Sequence, residues 1–492
     1  MDNLALYTVD QVRHIDRIAI ERCRSSGASL MHRAAQAAFA ALRRRWPEAH
    51  HIRVLAGTGN NGGDAYLLAA LAHEHGLRVE LHALGDSIGE DAIKARSKWI
   101  ALGQPISTLD DAIRAGAVDV VVDGLFGSGL SRAIEGDAAE LIVALNARGS
   151  ATLALDVPSG LDANSGVATG PVLRADATIS FVGWKRGLFT ADAADLCGVL
   201  ELATLAIPAD AYAGIDADAN LLDTDLIQKL SARKRNVNKG TFGHVLAIGG
   251  DEGMAGAVRL CAEAALRSGA GMVSVATRLA HVSALNAARP ELMARAVDGP
   301  QSIAAMLERA STIALGPGLG QAAWGHALWD SALRADKPIV IDADALNLLA
   351  EHPCKLPGRT VLTPHPGEAA RLLRLDIGTI QRDRFAAARA IARTYAATVV
   401  LKGAGSIIAA EDGRVAVCRF GNPGMASAGM GDVLTGIIAG LLAQGLSVWD
   451  SARIGALAHA RAGDLAAGTA PRGMIASDLF VPLRRLLNGQ HA

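Results

Sequence analysis

Short apolar runs and helical stretches alternate along this sequence, and the alternation restricts the chain to α/β folds. In the first of two such series, the apolar runs are residues 51–56, 78–84, 118–122 and 151–155, with helical patterns such as residues 65–75 between them. Strands that are apolar throughout and are joined through helices indicate a parallel sheet covered on both faces. In such sheets ligands bind beyond the carboxyl ends of the strands.

A second alternating series follows after a break in the pattern. Its apolar runs are residues 244–248, 272–276, 312–315, 338–341, 360–362 and 398–401. Between about residues 209 and 236 the sequence is rich in alanine and aspartate and then in basic residues, which indicates a linker. A chain of 492 residues is also too long for one ordinary hydrophobic core. We therefore predict two α/β domains, residues 1–215 and residues 216–492.

Composition and charge argue against several classes of partner. The formal net charge of −1 leaves no basic surface for nucleic acid. The five cysteines are odd in number and form no C-x-x-C pair, which argues against a disulfide framework and a zinc site. The N-terminus lacks the basic and apolar regions of a signal peptide, and the longest apolar run, residues 433–446, is too short to span a bilayer. We expect a cytoplasmic protein that binds neither nucleic acid nor membranes.

A glycine-rich loop leads directly into a long apolar helix. The loop, residues 421–432, reads GNPGMASAGMGD, and the predicted helix covers residues 433–444. The first N–H groups of a helix have no partner within it and carry the positive end of its dipole, so this turn is a candidate phosphate site. Asp432 opens the predicted helix, where it acts either as an N-terminal cap or as a base beside the bound phosphate.

Polar segments follow three strands of the first series. They are residues 57–64 (GTGNNGGD), 123–129 (DGLFGSG) and 156–160 (DVPSG). Because the carboxyl ends of parallel strands meet at one edge of a sheet, we expect these segments to form one site. Asn61, Asp123 and Ser159 supply oxygen donors there, as a hard cation prefers. Asp156 either takes part in this site or only forms a turn, since Pro158 follows closely.

Strands of the second series also end in glycine-bearing or polar turns. These turns are residues 249–251, 316–320, 342–344, 363–368 and 402–406. His365 lies between two prolines, so its imidazole is fixed in place and either contacts substrate or makes a structural hydrogen bond. Asp342 and Asp344 either help to hold hydrated magnesium or cap a helix. Gly318 and Gly320 permit close approach of a ligand or of packed chain.

Taken together, these motifs resemble two known families. Residues 59–64, 123–130 and 156–162 resemble the YjeF N-terminal domain, an NAD(P)H-hydrate epimerase. Residues 253–257, 316–320, 363–368, 402–403 and 429–432 are similar to the ADP/ATP-dependent NAD(P)H-hydrate dehydratases of the ribokinase-like superfamily. Their order on one chain resembles the bifunctional NAD(P)H-hydrate repair enzymes of bacteria. The resemblance implies a Rossmann-like epimerase domain followed by a ribokinase-like dehydratase domain, and we expect a homo-oligomer.

The resemblance also implies a role for particular residues. In the first domain the hydrate would contact Asn60, Asn61, Gly62, Gly63, Asp64, Gly127, Ser128, Gly129, Leu130, Ser131, Arg132, Ala133 and Asp156, and potassium would bind Asn61, Asp123 and Ser159. In the second domain the hydrate would contact Ala257, Gly318, Gly320, His365 and Asp432, and ADP or ATP would contact Lys402, Gly403, Ala404, Gly405, Ser406 and Gly431, with magnesium present.

The implied chemistry explains why a kinase-like fold can catalyse a dehydration. Hydroxide is a poor leaving group because water has a pKa of about 15.7. Phosphorylating the hydroxyl of the nicotinamide hydrate gives a leaving group whose second pKa is about 6. Asp432 would remove the hydroxyl proton. In the first domain, epimerisation proceeds if the ring nitrogen expels the hydroxyl and water returns on the other face, with Asp123 or Asp156 as acid and base.

Two rival functions remain open from the sequence. The first is a ribokinase-like small-molecule kinase, because the Gly-x-Gly-Asp turn at residues 429–432 serves both chemistries. The second makes the first domain a nucleotide-binding or scaffolding module without catalysis. A kinase leaves a stable phosphoester, whereas a dehydratase releases reduced nucleotide and inorganic phosphate, so the products separate these functions.

Overall fold

The protein is described by a computed structural model that covers residues 4–22, 25–130, 132–230 and 232–490. The chain divides into two compact units, Met1–Asn220 and Leu221–Ala492. Each unit pairs a central sheet with helices, which confirms the predicted α/β class.

The first unit is built on a parallel sheet. Its strands are β1 (Ala5–Tyr7), β2 (His51–Ala56), β3 (Arg78–Ala83), β4 (Ser107–Thr108), β5 (Val120–Gly124), β6 (Thr152–Leu155), β7 (Ala177–Phe181), β8 (Trp184–Lys185), β9 (Val199–Ala203) and, at the boundary, β10 (Ala219–Leu221). The main sheet has the order β4-β3-β2-β5-β6-β7-β9, and all neighbours in it run parallel. Strand β1 pairs antiparallel with β10 and parallel with β8.

Helices cover this sheet because its strands are apolar on both faces. They are α1 (Val9–Glu21), α2 (Gly27–Arg45), α3 (Asn60–Glu74), α4 (Glu90–Ala101), α5 (Leu109–Arg114), α6 (Gly136–Arg148) and α7 (Ala193–Leu196). Strands β2 and β5 are almost fully buried along their length. Their side chains divide between two core clusters on the two faces: Val54 and Val122 lie in one, and Leu55 and Val121 in the other.

The helix predicted over residues 65–75 begins earlier than the sequence pattern indicated. It starts at Asn60, with Gly59 at the N-cap position, so residues 60–64 form its first turn and not a loop. Glycines normally break helices, but here they are required by packing. A Cβ on Gly62 would lie 1.9 Å from the carbonyl oxygen of Gly57, and one on Gly63 would lie 2.7 Å from Met31.

The second unit contains a mixed sheet. Its strands are β11 (His244–Ile248), β12 (Met272–Thr277), β13 (Met293–Ala296), β14 (Thr312–Leu315), β15 (Ile339–Ile341), β16 (Thr360–Leu362), β17 (Thr398–Leu401), β18 (Ser406–Ala409) and β19 (Val415–Cys418). Within this unit the order is β13-β12-β11-β14-β15-β16-β17-β18-β19. Strands from β13 to β17 run parallel, whereas β18 is antiparallel to both β17 and β19.

The helices of the second unit include the apolar helix predicted from the sequence. They are α8 (Ala255–Arg267), α9 (Leu279–Ala288), α10 (Pro300–Arg309), α11 (Ala323–Arg334), α12 (Ala343–Glu351), α13 (Pro366–Leu373), α14 (Ile377–Arg382), α15 (Arg384–Tyr395), α16 (Met430–Ala443), α17 (Val448–Ala467) and α18 (Phe480–Leu486). Helix α16 packs closely on α8, because Gly436 faces the Cys261 carbonyl and Gly440 faces Ala265. This packing fixes the N-terminus of α16 beside the strand ends.

Candidate active sites

A cavity of about 660 Å3 opens at the strand ends of the first unit. It is lined by the N-terminus of α3, the loop after β5, the residue after β6 and the residues after β7, together with helix α1. The polar segments predicted at residues 57–64, 123–129 and 156–160 each contribute lining residues. The structure therefore brings the three segments to one cavity, as the parallel sheet predicted.

Asp156 lines this cavity in a left-handed backbone conformation and pairs with a buried lysine. Its φ is +67°, in the left-handed region, which aspartate tolerates better than most residues. One carboxylate oxygen pairs with Lys185 Nζ, whose side chain is 1 % exposed, and the other accepts a hydrogen bond from Ser128 N at 3.0 Å. Burial raises the pKa of Asp156, but the Lys185 charge and these hydrogen bonds outweigh burial and hold the pKa below its ordinary value.

The first turn of α3 presents Asn60, Asn61 and Asp64 to the cavity. Burial raises the pKa of the Asp64 carboxyl well above its ordinary value, and the nearby Asp156 and Asp16 carboxylates raise it further. The carboxyl of Asp64 therefore holds its proton more tightly than an ordinary carboxyl does. Gly62 and Gly63 are buried and serve the packing of this turn rather than the cavity wall.

The loop after β5 closes over Asp156. Gly127, Ser128, Gly129, Leu130 and Arg132 line the cavity. A Cβ on Gly127 would lie 3.2 Å from both the Asp156 carboxylate and the Asn61 amide, so only glycine fits there comfortably. Ala133 instead lies beside Gly170. Ser131 lies outside the described residues.

Asp123 lies behind the cavity wall and not on it. It is fully buried, accepts hydrogen bonds from Ser159 N at 2.8 Å and Ser159 Oγ at 2.6 Å, and has no ion pair with any described residue. Ser159 Oγ also lies 3.2 Å from the Phe126 carbonyl oxygen. The Asn61 amide, in its better orientation, accepts from Gly127 N and donates to Leu155 O, each at 3.3 Å. Asp156 therefore lines the cavity, whereas Asp123 holds the turn at Ser159 behind it.

In the second unit, one lysine is surrounded by carboxylates at the strand ends. Lys402 Nζ lies 2.8 Å from Asp342 Oδ1 and 3.7 Å from Glu368 Oε2, and Asp342 Oδ2 accepts from Thr435 Oγ1 at 2.8 Å. Burial lowers the pKa of Lys402, but the two carboxylates outweigh it and raise the pKa. Asp342 occupies the N-cap position of α12, yet its side chain makes no capping bond, so the capping alternative is wrong for it.

Asp432 is the third residue of α16 and not its cap. The helix begins at Met430, and Gly429, with φ +89°, is the N-cap residue, so the predicted start at residue 433 and the capping alternative are wrong. Burial raises the pKa of the Asp432 carboxyl to about 7, and Asp342 raises it while Lys402 lowers it. A Cβ on Gly431 would lie 3.2 Å from Lys402 Nζ. The N-terminus of α16 therefore meets the Lys402 cluster.

The remaining predicted contacts of the second unit lie in two places. A Cβ on Gly318 would lie 3.3 Å from the Cβ of Ala257, and Gly320 N donates to Asp344 Oδ2 at 2.9 Å. His365 caps α13: its Nδ1 accepts from Gly367 N at 3.0 Å, while its Nε2 lies 3.4 Å from Glu368 Oε1. The structural alternative for His365 is thus realised, and its half-exposed ring still faces the Lys402 cluster.

The loop predicted to hold nucleotide is supported from beneath by a buried arginine. Arg384, at the start of α15, donates to the carbonyls of Leu401, Lys402, Ala404 and Gly405. A Cβ on Gly403 would lie 2.7 Å from an Arg384 nitrogen. The side chain of Lys402 turns toward the carboxylates of Asp342 and Glu368.

Sequence reasoning missed Lys185, Arg384 and Asp16, although each has a structural place in a site. Lys185 follows β7, a strand that the alternation pattern did not identify, so the strand-end rule was never applied to it. Arg384 acts on backbone carbonyls, and Asp16 comes from a helix far upstream in the sequence. No local motif marks either residue.

None of the helices among the described residues is both long enough and apolar enough to cross a bilayer. Across the same residues, no group of three or more His, Cys, Asp or Glu side chains is arranged to hold a metal ion.

Both units of the chain match known protein families. A family described as YjeF-related protein N-terminus matches residues 27–187, and a family described as NAD(P)H-hydrate dehydratase matches residues 245–485. The chain is 44 % identical over 490 residues to the bifunctional NAD(P)H-hydrate repair enzyme of Coxiella burnetii, covering 98 % of this chain and 99 % of that one. It is 41 % identical to the corresponding Escherichia coli enzyme, covering 98 % and 94 %.

Solved structures match the second unit. A ribokinase-like superfamily protein from Enterococcus faecalis aligns with a TM-score of 0.52 and 29 % identity, covering 56 % of this chain and 96 % of that one. The ADP/ATP-dependent NAD(P)H-hydrate dehydratase from Bacillus subtilis, co-crystallised with ATP and Mg2+, aligns with a TM-score of 0.50 and 27 % identity, covering 55 % and 98 %.

Proposed function

The chain belongs to the bifunctional NAD(P)H-hydrate repair enzymes, and from this premise we propose which residues perform each of its two reactions. The family repairs hydrated NADH and NADPH by epimerising the hydrate and dehydrating one epimer, the S form, with ADP or ATP as co-substrate. We assign epimerisation to the first unit and dehydration to the second. The homo-oligomer and the cytoplasmic location expected from the sequence stay predictions.

The cavity of the first unit is the proposed epimerase site. Asn60, Asn61, Asp64 and the loop from Gly127 to Arg132 would surround the hydrated nicotinamide ring, and Asp156 would meet its hydroxyl-bearing carbon. Asp156 is ionised because of its pairing with Lys185, so it can accept a proton from the water that returns to the ring. Of the two candidates from the sequence, we therefore assign the base to Asp156 and not to the fully buried Asp123.

Potassium fits the oxygen cluster behind the epimerase site. A buried carboxylate is costly unless it is paired, and Asp123 has no cationic partner among the described residues. Asn61, Asp123 and Ser159 would hold the ion, which would supply the missing positive charge and fix the loops on either side. This role would make the ion structural support for the site.

Asp123→Asn tests the potassium assignment. It keeps the size and one carbonyl oxygen but removes the charge, so we expect epimerase activity to lose its dependence on potassium and most of its rate. Nucleotide-dependent dehydration by the same variant is the internal control. Wild-type epimerisation that proceeds equally in sodium, potassium and cation-free buffer would contradict the assignment.

The N-terminus of α16 is the proposed dehydratase site. Asp432 would take the proton from the hydrate's hydroxyl, and the first N–H groups of α16 would hold the transferring phosphoryl group. Residues 402–406 and Gly431 would hold the nucleotide, while Ala257, Gly318, Gly320 and His365 would contact the hydrate. The reaction would then release the phosphate and restore the ring double bond.

Magnesium fits this site as a companion of the nucleotide phosphates. Asp342, Glu368 and Asp432 place three carboxylates around Lys402, and Asp344 lies close enough to Asp432 to raise its pKa, so the cluster carries excess negative charge when ionised. Magnesium prefers oxygen ligands, retains waters and is commonly held by one or two carboxylates together with substrate phosphates. Asp344 is the freer of the two predicted ligands, because Lys402 and Thr435 engage Asp342.

One observation carries the proposed dehydratase site: the Asp432 carboxyl lies on the first turn of α16, beside the partly buried Lys402, and burial raises the pKa of this carboxyl to about 7. The test is incubation with both hydrate epimers while restored NADH is followed by absorbance, with ADP, with ATP and with neither. We expect complete conversion with ADP or ATP and none without. A stable phosphoester in place of NADH and inorganic phosphate would identify a kinase instead.

A further inference from the structure

The epimerase cavity contains a carboxylate to which no role has been given. Asp16, on helix α1, lines the cavity together with Asp64, Asp156 and Lys185. It lies upstream of the segment, residues 27–187, that matches the YjeF-related family. Asp16 is half-buried, and it makes no hydrogen bond or ion pair with any described residue, so its carboxyl is free to meet a ligand in the cavity.

Charged groups face Asp16 from several elements. Lys185 follows β7, Asp156 follows β6 and Asp64 lies on α3, and all three interact with it electrostatically; Tyr212 does so from the segment after β9. Arg13 lines the cavity one turn earlier on α1. Burial raises the pKa of Asp16 to about 6; Lys185 lowers it and Asp156 raises it.

Epimerisation needs two proton transfers that Asp156 cannot perform alone. The leaving hydroxyl must receive a proton, and the returning water must lose one. Asp156 is ionised and paired, so it has no proton to give. Burial and the Asp156 and Asp16 carboxylates raise the pKa of Asp64, so the ionised form that the return step needs as a base is disfavoured. Enzymes solve this problem with two carboxyl groups whose environments push their pKa values apart.

We propose that Asp16 is a catalytic acid–base residue of the epimerase site, acting from helix α1 on the oxygen that leaves and returns. This inference rests on the epimerase function proposed above. In the first step the ring nitrogen's lone pair forms a C=N bond, the C–O bond breaks with its electron pair on oxygen, and the Asp16 proton moves to that oxygen to give water. In the second step water adds to the other face of the ring, and its proton returns to the Asp16 carboxylate, either directly or by way of Asp156, which restores the starting protonation. No atom is oxidised or reduced.

Asp16→Asn in the full-length chain tests the proposal. The substitution keeps the size and removes the transferable proton. We expect epimerisation to slow by about a hundredfold, within the range for loss of a general acid–base group. The wild-type kcat/KM for epimerisation should decline as pH rises through about 6, because Asp16 must be protonated to act as the acid, and the variant should lose this decline. Rates without enzyme are subtracted at each pH.

Two further variants separate catalysis from structure. Asp16→Glu keeps an acid–base group and should retain part of the rate together with the pH-dependent decline. Asp10→Asn, at an exposed position one and a half turns earlier on α1, should leave the rate unchanged. Thermal unfolding followed by circular dichroism reports whether the first unit of each variant is folded, because dehydration belongs to the second unit.

The outcomes distinguish this inference from the function on which it rests. Wild-type protein without epimerase activity would overturn the proposed function itself. An active wild type with an Asp16→Asn variant that keeps the wild-type rate, or that loses rate but keeps the wild-type pH profile, would overturn the role of Asp16 alone.

Discussion

At the scale of single residues, a substitution of Asp432 can separate the structural role of this side chain from its role as a base. Asp432→Asn keeps the size of the side chain but removes the charge that accepts a proton. We expect dehydration to fall by at least about a hundredfold, because loss of a general base typically costs about 10² to 10⁴ in rate. Epimerisation should be unchanged. The measurement is the rate of NADH recovery from the S epimer with ADP or ATP.

The chain contains a matched control for this substitution. Asp450 is also the third residue of a helix, α17, where it caps with Ser447 and pairs with Arg453. Asp450→Asn removes the same charge from the same helix position and should cost only stability, about 1 kcal/mol. Wild-type dehydration by a folded Asp432→Asn protein, or an equal loss in Asp450→Asn, would argue against Asp432 as the base.

The pKa of Asp432 also predicts how dehydration depends on pH. A base must be ionised to act, and burial raises the pKa of this carboxyl to about 7. We therefore expect kcat/KM for dehydration to rise about tenfold per pH unit below pH 7 and to level off above it, since kcat/KM reports the free enzyme. Initial rates with the S epimer between pH 5.5 and 8.5 check this, and a flat profile through pH 7 would count against it.

Sequence reasoning predicted the location of site residues better than their roles. Asp123 and Asp156 both follow strands, so both were placed at the sheet edge. Their pKa shifts oppose each other, up to about 6 for Asp123 and down for Asp156, because Lys185 reaches only Asp156. A sequence pattern contains no information on that contact, since the lysine and the aspartate are 29 residues apart.

At the scale of elements, the loop of residues 402–406 depends on helix α15. In a trans peptide the carbonyl and the following N–H point in opposite directions. Because Arg384 donates hydrogen bonds to four carbonyls, it also fixes the direction in which the N–H groups of this loop point. We infer that Arg384 positions the nucleotide-binding backbone without itself touching the nucleotide.

Arg384→Lys tests this positioning role. An ammonium cannot reproduce the planar fork of a guanidinium, so the loop should lose part of its order. We expect KM for ADP or ATP to rise roughly tenfold, which corresponds to about 1.4 kcal/mol, with a smaller change in kcat. The exposed Arg393 of the same helix provides the control variant Arg393→Lys. An unchanged nucleotide KM in a folded Arg384→Lys protein would contradict the inference.

The same scale explains the element boundaries that were wrong. Helices α3 and α16 both begin at glycine-containing sequences that read as loops, and both were predicted to start late. In α3 the glycines fit against Gly57 and Met31, and at α16 Gly429 provides the left-handed cap. Tertiary packing therefore overrides local propensity at these two helix starts.

At the scale of the whole molecule, the alternation of strands and helices was sufficient to predict the α/β class. The antiparallel strands β18 and β19 were missed because no helix separates them from β17 or from each other, so they lie beyond the last helix–strand alternation. The main core clusters of the two units nevertheless consist of residues from separate parts of the chain. Tyr7 to Ala211 contribute the main core cluster of the first unit, and Leu222 to Leu486 contribute that of the second.

This separation predicts that the two activities can be separated by cutting the chain. The cut should follow Asn220 and not residue 215, because residues 218–220 contact the first unit. Asp218 N donates to the Leu6 carbonyl, and the Asp218 carboxylate pairs with Arg186. Ala219 and Asn220 pair with β1. We expect residues 1–220 to retain epimerisation and residues 221–492 to retain nucleotide-dependent dehydration, each within about tenfold of the full chain.

A cut after residue 215 is the matched control and should impair the first fragment more, since it removes the contacts of residues 218–220. If both fragments fold by circular dichroism but neither retains its reaction, while the intact chain performs both, then each site depends on the whole chain and the assignment of one reaction to each unit is wrong.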